Sequence, residues 1–280
     1  MRNLFTFLLS LLTLSLLPRL AQAGIPACDG LTGAKRDVAL QVLGSAHPHD
    51  CCDGTLAECL GRSPVCPLVT RLAADVCRRA GAGQSKADIE RELQRRAMSV
   101  TSPKVTIDTS GAAVAGDPNA KVEIVLYLCA RCPYCSRLFP QLYASVTNGK
   151  LKGKAKIVVR PFPIRSHPGS TEAAKAMLAA QRQGKLFEFL LEMYRNFDRY
   201  EPAKLAEFAA AAGLDVERFR RDLADPALEK TLVEAKKEGI RNHVEATPTV
   251  YVQRRKYHAE LSLAAIEDYA EEQYERPAGK

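Results

Sequence analysis

Between Val122 and Cys129 the chain runs V-E-I-V-L-Y-L-C and passes almost at once into Cys132-Pro133-Tyr134-Cys135 and a helical stretch, Ser136 to Val146. A run of β-formers this continuous is the pattern of a central strand covered on both faces. Ala155 to Arg160 (A-K-I-V-V-R) is a second buried strand, ended by Pro161-Phe162-Pro163, and Thr249 to Gln253 is a third. The chain is therefore read as α/β, with a cysteine pair at the junction of a buried strand and a helix.

That junction gives the C-x-x-C a physical reason to react. Unpaired N–H groups and the helix dipole at a helix N-terminus stabilise a thiolate, and the thiolate is the reacting species. Cys132 is the nucleophile on this reading. Cys135, about one turn further in, is the more buried resolving thiol. Pro133 falls in the first turn, where its missing N–H costs nothing. The competing readings are half of a zinc knuckle and a structural disulfide. Zinc needs a second ligand pair, yet no cysteine follows Cys135, and His167, His243 and His258 are scattered. Cys129 extends the motif to C-x-x-C-x-x-C. It is read first as a buried strand-end cysteine acting as a small hydrophobe; the alternative is an accessory redox thiol.

The N-terminus sets the expected compartment. Arg2 precedes a fourteen-residue apolar run, Leu4 to Leu17, and Ala21-Gln22-Ala23 has the form of a cleavage site, so residues 1–23 are read as a signal peptide. The run is shorter than the roughly 20 residues that span a bilayer. Lipoprotein processing at Cys28 is the lesser alternative. Cleavage removes Arg2 and Arg19 and no acid, leaving 38 basic and 32 acidic residues, a formal charge of +6 over 257 residues. The mature chain is expected to be soluble and periplasmic or otherwise extracytoplasmic. The densest basic run, Lys150, Lys152, Lys154 and Lys156, surrounds turn residues and lacks interleaved aromatics, which argues against nucleic-acid binding.

Nine cysteines divide six, three and none along the chain. Cys28, Cys51, Cys52, Cys59, Cys66 and Cys77 lie in a first third that reads as short helices, with Leu68, Leu72 and Val76 repeating at fours and Ile89, Leu93 and Ala97 at helical spacing. The boundary is placed near residues 99–104, giving a cysteine-rich all-α module over 24–100 and a second domain over 101–280. Val105 and Ile107 start a short strand or hairpin. A helical block over about 170–241 is inserted between strands, with breaks near Gly184, Glu201-Pro202, Gly213 and Asp225-Pro226. Lys256 to Glu260 pairs with the third strand, and Ser262 to Glu275 is a closing helix.

Several motifs, in order, carry a resemblance: Gly116-Asp117-Pro118-Asn119-Ala120, the strand, Cys132-Pro133-Tyr134-Cys135, Arg160-Pro161-Phe162-Pro163, the helices from Thr171, and Ala246-Thr247-Pro248-Thr249-Val250. Over residues 103–275 the chain resembles the DsbA-type branch of the thioredoxin superfamily. The resemblance implies a thioredoxin fold with an inserted helical domain, and a protein-disulfide oxidoreductase whose redox group is the Cys132–Cys135 disulfide, with no other cofactor and no metal. It implies that Pro140 kinks the active-site helix and that Pro248 is the cis-proline beside the cysteines. Thr247 and Pro248 then bind an extended substrate, and Tyr134 supports the active site. It also implies cysteine-containing client proteins and a membrane redox partner for turnover. Two departures stand out. Leu126 occupies the position of a buried acid found in many relatives, and Tyr134 replaces the histidine of strongly oxidising members. The couple is therefore predicted to be less oxidising than the DsbA value of about −120 mV.

The front module, from Cys51-Cys52 through Cys59 and Cys66-Pro67-Leu68 to Asp88-Ile89, is similar to the thiol domain of CcmH-type cytochrome c maturation proteins. That family's C-x-x-C is absent, so its activity does not transfer. Structural disulfides are the leading reading of the six cysteines; a redox pair exchanging with Cys132, and metal binding by His47, His49, Cys51 and Cys52, are the others. Six cysteines allow fifteen connectivities, and the sequence does not choose among them. The competing function is a client-binding or chaperone module in cytochrome c maturation with secondary redox activity.

Overall fold

The computed structural model describes residues 26–276. The expected signal peptide lies outside the described residues. The chain divides into two compact units, one ending at Lys86 and one beginning at Ala87.

The front unit contains α1 (Pro26–Asp29), α2 (Gly33–Ser45), α3 (Leu56–Leu60) and α4 (Pro67–Gly81). At five residues α3 is short, and a reciprocal cap defines its start: the Thr55 hydroxyl accepts from Glu58 N–H while the Glu58 carboxylate accepts from Thr55 N–H. Val69, Leu72, Ala73 and Val76 form the buried stripe of α4. Asp75 and Arg79, one turn apart on α4, are both buried and meet at 3.0 Å, so the charge taken into the interior is paired. Three disulfides, Cys28–Cys77, Cys51–Cys66 and Cys52–Cys59, use all six cysteines of this unit. The Cys28 sulfur is thus bonded to protein, which removes the lipoprotein reading, and Cys51 and Cys52 have no thiolate to offer a metal.

The second unit takes in nearly all of α5 (Lys86–Thr101). The sequence placed this helix in the front module, with a boundary some fifteen residues later. Arg96 explains the difference. It is buried and pairs with Asp268 and, at 2.8 Å, with Glu272 on α12 (Leu263–Glu275), the closing helix. Breaking such a buried pair strands a charge, so the helix is held to this unit.

Five strands form one sheet in the order β1-β3-β2-β4-β5: β1 (Val114–Gly116), β2 (Val122–Leu128), β3 (Ala155–Pro161), β4 (Thr249–Val252) and β5 (Arg255–Lys256). β2 and β3 are parallel, and the other pairs are antiparallel. Alternation along β2 sends Ile124, Leu126 and Leu128 into the larger core, and Val125 and Tyr127 into a smaller one with Val158, Phe162 and Tyr251. Val105 to Ile107 is not a strand: β5 is only two residues long, so beside the Lys104–Arg255 bridge only Val105 N–H bonds backbone, at Arg254 O, while Thr106 O and Ile107 O accept from the side chains of Asn242 and Arg254.

The larger core is covered by α6 (Pro133–Thr147), α12 and the inserted helices α7 (Ser170–Arg182), α8 (Leu186–Arg195), α9 (Leu205–Ala211), α10 (Val216–Ala224) and α11 (Pro226–Arg241). The end of α11 crosses to the smaller core. There Glu238 accepts from Tyr127 Oη at 3.0 Å, Arg160 Nη2 at 3.0 Å and Asp108 N–H at 2.7 Å. Gly239 permits this approach, because a Cβ there would lie 2.6 Å from the Phe162 ring.

Candidate active site

β2 ends at Leu128, a tight turn closes with Cys132 N–H donating to Cys129 O at 3.0 Å, and α6 begins at Pro133 with Cys132 as its N-cap residue. The sequence folds this way because an apolar strand must end where a proline and a polar turn allow a helix to start. Pro140 lies inside α6. The Thr247–Pro248 peptide is cis, and it leads into β4, next to β2. Sheet order alone therefore brings Thr247 to Cys132, 115 residues earlier: the Cys132 thiol donates to Thr247 O at 3.1 Å.

All three unbonded cysteines are buried, Cys132 and Cys129 at 1% exposure and Cys135 at 0%. Their protonation differs sharply. Cys132 is brought down to about 5, first by the Cys135 thiol donating to its sulfur; burial opposes this, while the Thr247 side chain and the N–H groups of Cys135 and Tyr134 add to it. Cys135 moves the other way, pushed well above the ordinary thiol range by burial and then by the neighbouring Cys132 charge. The pair can thus hold one thiolate and one thiol, the division of labour that C-x-x-C chemistry needs. Tyr134 is 65% exposed, with the Arg137 guanidinium 5.0 Å from its ring centre, and so stands at the surface beside the buried pair.

Cys129 fits the small-hydrophobe reading in its burial, and burial raises its thiol above the ordinary value. The N–H groups of Ile164 and Arg131 oppose that rise, and His167 Nδ1 lies 3.4 Å from the Cys129 sulfur. Leu126 is fully buried on the α6 side of the sheet. Glu123 is no replacement acid, because it is ion-paired with Arg254 at 2.8 Å and strand alternation turns it from the Leu126 face.

Three residues that the sequence reading did not single out complete the site. Tyr194 on α8 is buried and donates to Cys129 O at 3.3 Å. Arg131 precedes Cys132 and is held by Phe197 and Tyr200, at 4.7 and 4.2 Å from their ring centres. Tyr200 in turn donates to Gly169 O at 2.7 Å, where φ is +71° and a Cβ would meet the tyrosine ring at 2.8 Å. These contacts span 31 to 69 residues of chain, and no local spacing signals them.

A family model described as thioredoxin matches residues 108–272. Among solved structures, BdbD from Bacillus subtilis in its oxidised form superposes with a TM-score of 0.54 at 18% identity, covering 62% of this chain and 99% of that one. A thioredoxin-like oxidoreductase from Silicibacter pomeroyi gives a TM-score of 0.51 at 23% identity, covering 60% of this chain and 94% of its own. The Na(+)/H(+) antiporter NhaA 3 of Salinispora tropica is 30% identical over 217 residues, which is 76% of this chain and 31% of the antiporter. The chain spans less than a third of the length of the curated relatives it matches. No helix among the described residues is long and apolar enough to cross a membrane. With the family model matching more than half of its length, the chain belongs to the thioredoxin family.

Proposed function

We propose that the protein is an exported thiol–disulfide oxidoreductase that forms, reduces or shuffles disulfides in client proteins through Cys132 and Cys135. The observation that carries this reading is the paired environment of the two thiols: Cys132 at a helix N-terminus and brought down to about 5, Cys135 behind it and held protonated. In the oxidising direction a client thiolate attacks Cys132 Sγ, the Cys132–Cys135 bond breaks, and Cys135 leaves with the electron pair. A second client thiolate then attacks the client sulfur of the mixed disulfide, and Cys132 leaves as a stable thiolate. The client has lost two electrons and the enzyme holds them as a dithiol, which a membrane redox partner reoxidises. In reverse, the same steps reduce a client.

Thr247 O, already an acceptor for the Cys132 thiol, is placed to receive a backbone N–H from an extended client segment. Three disulfides in the front unit support an oxidising compartment outside the cytoplasm. The ion exchange named in the antiporter relatives is not carried over, since the chain spans only 31% of that protein and the chemistry here belongs to thiols. The test is a pair of variants. Cys132→Ser should abolish dithiol oxidation and insulin reduction, and Cys135→Ser should accumulate mixed disulfides that identify the clients. Full biological activity of Cys132→Ser would instead assign the protein to client binding.

A further inference from the structure

Disulfide exchange at this site creates a buried anion, and beyond the Cys129 N–H and the Thr247 hydroxyl few donors reach it. When Cys132–Cys135 opens, the released Cys135 thiolate lies at a position with 0% exposure. A charge in such a place needs a hydrogen-bond donor or an opposite charge. On the larger-core face of β2, the position available to an acid holds Leu126, and Glu123 is committed to Arg254 on the other face. The groups that reach Cys135 are the Cys132 thiol, the Cys129 N–H, the Thr247 hydroxyl and the Tyr194 phenol, with the Cys129 thiol and His167 one step further.

Tyr194 is the side chain placed to supply a further donor. It projects from α8 into the core, its ring packs 5.9 Å from the Phe139 ring of the active-site helix, its hydroxyl donates to Cys129 O in the turn that opens that helix, and the charge of the Cys135 sulfur acts on it. In the dithiol state the hydroxyl donates to the carbonyl at 3.3 Å, a long bond that a sulfur anion can outcompete.

We propose that the Tyr194 hydroxyl is the hydrogen-bond donor that holds the Cys135 thiolate released during disulfide exchange, an assignment that rests on the oxidoreductase reading. As the client sulfur bonds to Cys132 and the Cys132–Cys135 bond breaks, the electron pair goes to Cys135 Sγ and the Tyr194 O–H turns from Cys129 O to that sulfur. The phenol keeps its proton; burial, and then the charges on the sulfurs, hold it well above the ordinary tyrosine range. The proton that finally neutralises Cys135 comes from the second client thiol as it ionises to attack the mixed disulfide. In the reducing direction the same bond favours the Cys135 thiolate that attacks the mixed disulfide.

The test separates this role from packing. In a Cys132→Ser background Cys135 titrates without its partner thiol, and Tyr194→Phe removes one oxygen while keeping the ring against Phe139. A hydrogen bond to a charged group implies that Tyr194→Phe raises the Cys135 midpoint by about one pH unit or more, followed by thiolate absorbance, and slows single-turnover mixed-disulfide formation about tenfold in the protein with all cysteines. A folded Tyr194→Phe protein with the Cys135 midpoint unmoved overturns the assignment. Should the phenylalanine variant not fold, 4-aminophenylalanine at 194 keeps the shape and offers a weaker donor that stays neutral at alkaline pH. It should raise the Cys135 midpoint, and an unchanged midpoint again overturns the assignment. Failure of the unmodified protein to exchange dithiols would overturn the oxidoreductase reading instead, a result distinct from either titration.

Discussion

The two units use the same element in opposite ways. In the front unit the bonded cysteines have Cα atoms 5.0 to 6.5 Å apart; Cys28–Cys77 ties α1 to α4, and the other two tie the loop before α3 to α3 and to the start of α4. In the thioredoxin unit three cysteines within seven residues remain thiols, each in a different environment. What separates the groups is what surrounds the sulfur. Crosslinks help a module too small to stabilise itself by burial alone, whereas Cys132 sits where a helix N-terminus, the Thr247 side chain and a second thiol make the thiolate the comfortable state.

The largest effect should come from exchanging the roles of the two groups. Cys132→Ser takes insulin reduction to background, while the double variant Cys52→Ala/Cys59→Ala retains turnover in the same assay. Loss of turnover in the double variant would mean that the front cysteines take part in the chemistry. Within the front unit, chain entropy predicts a graded series. The disulfides close 49, 15 and 7 residues, so replacing Cys28–Cys77, Cys51–Cys66 or Cys52–Cys59 by alanines should cost about 4, 3 and 2 kcal/mol respectively in urea unfolding of that unit. A reversed order would show that the constraint on the unfolded chain is not what these bonds supply.

The thiols make a pH prediction whose sign is fixed by Cys132. Its folded value is depressed, so the reduced state gains stability from it in full above the ordinary thiol value of 9.0, and loses that gain as pH falls toward about 5. Thiolate absorbance of the reduced protein should show one transition near pH 5, which Cys132→Ser removes. Cys135 and Cys129 should contribute only at alkaline pH. A smaller effect is expected at Tyr134, whose exposed ring lends Cys132 no charged donor. Tyr134→His should make the couple more oxidising, by about 30 mV for each 1.4 kcal/mol of added thiolate stabilisation. An unchanged or lower potential would remove Tyr134 from the grounds for predicting a mild couple.

How much of this the sequence could show depended on distance along the chain. Cys132 and Cys135 were legible because a strand, a turn proline and helical periodicity are local signals, and Pro140 and Thr247-Pro248 because the motif order resembles a known family. The α/β class and the inserted helices followed from the same patterns, and the family match agrees with them. Tyr194 and His167 were not legible, since only the packing of α8, and of the segment before α7, on the end of β2 brings them to the sulfurs; nor was the hold of Phe197 and Tyr200 on Arg131 inside the motif. The division of the compact units differs from the expected boundary for a related reason. Helical periodicity says that α5 exists, but only the Arg96 pairs with Asp268 and Glu272 say which core it joins. The front connectivity also depended on the fold, because fifteen pairings satisfy the spacing equally well.

The contrast between the two groups of cysteines is tested most directly by one experiment. The protein is equilibrated across a series of glutathione and dithiothreitol redox buffers, its thiols are trapped by alkylation, and each cysteine is quantified by mass spectrometry. The account predicts that Cys132 and Cys135 interconvert as a pair at a potential between about −300 and −120 mV, while the three front disulfides stay closed throughout that range. A front disulfide that opens before the Cys132–Cys135 bond, or a Cys132 that pairs instead with Cys129, would contradict it.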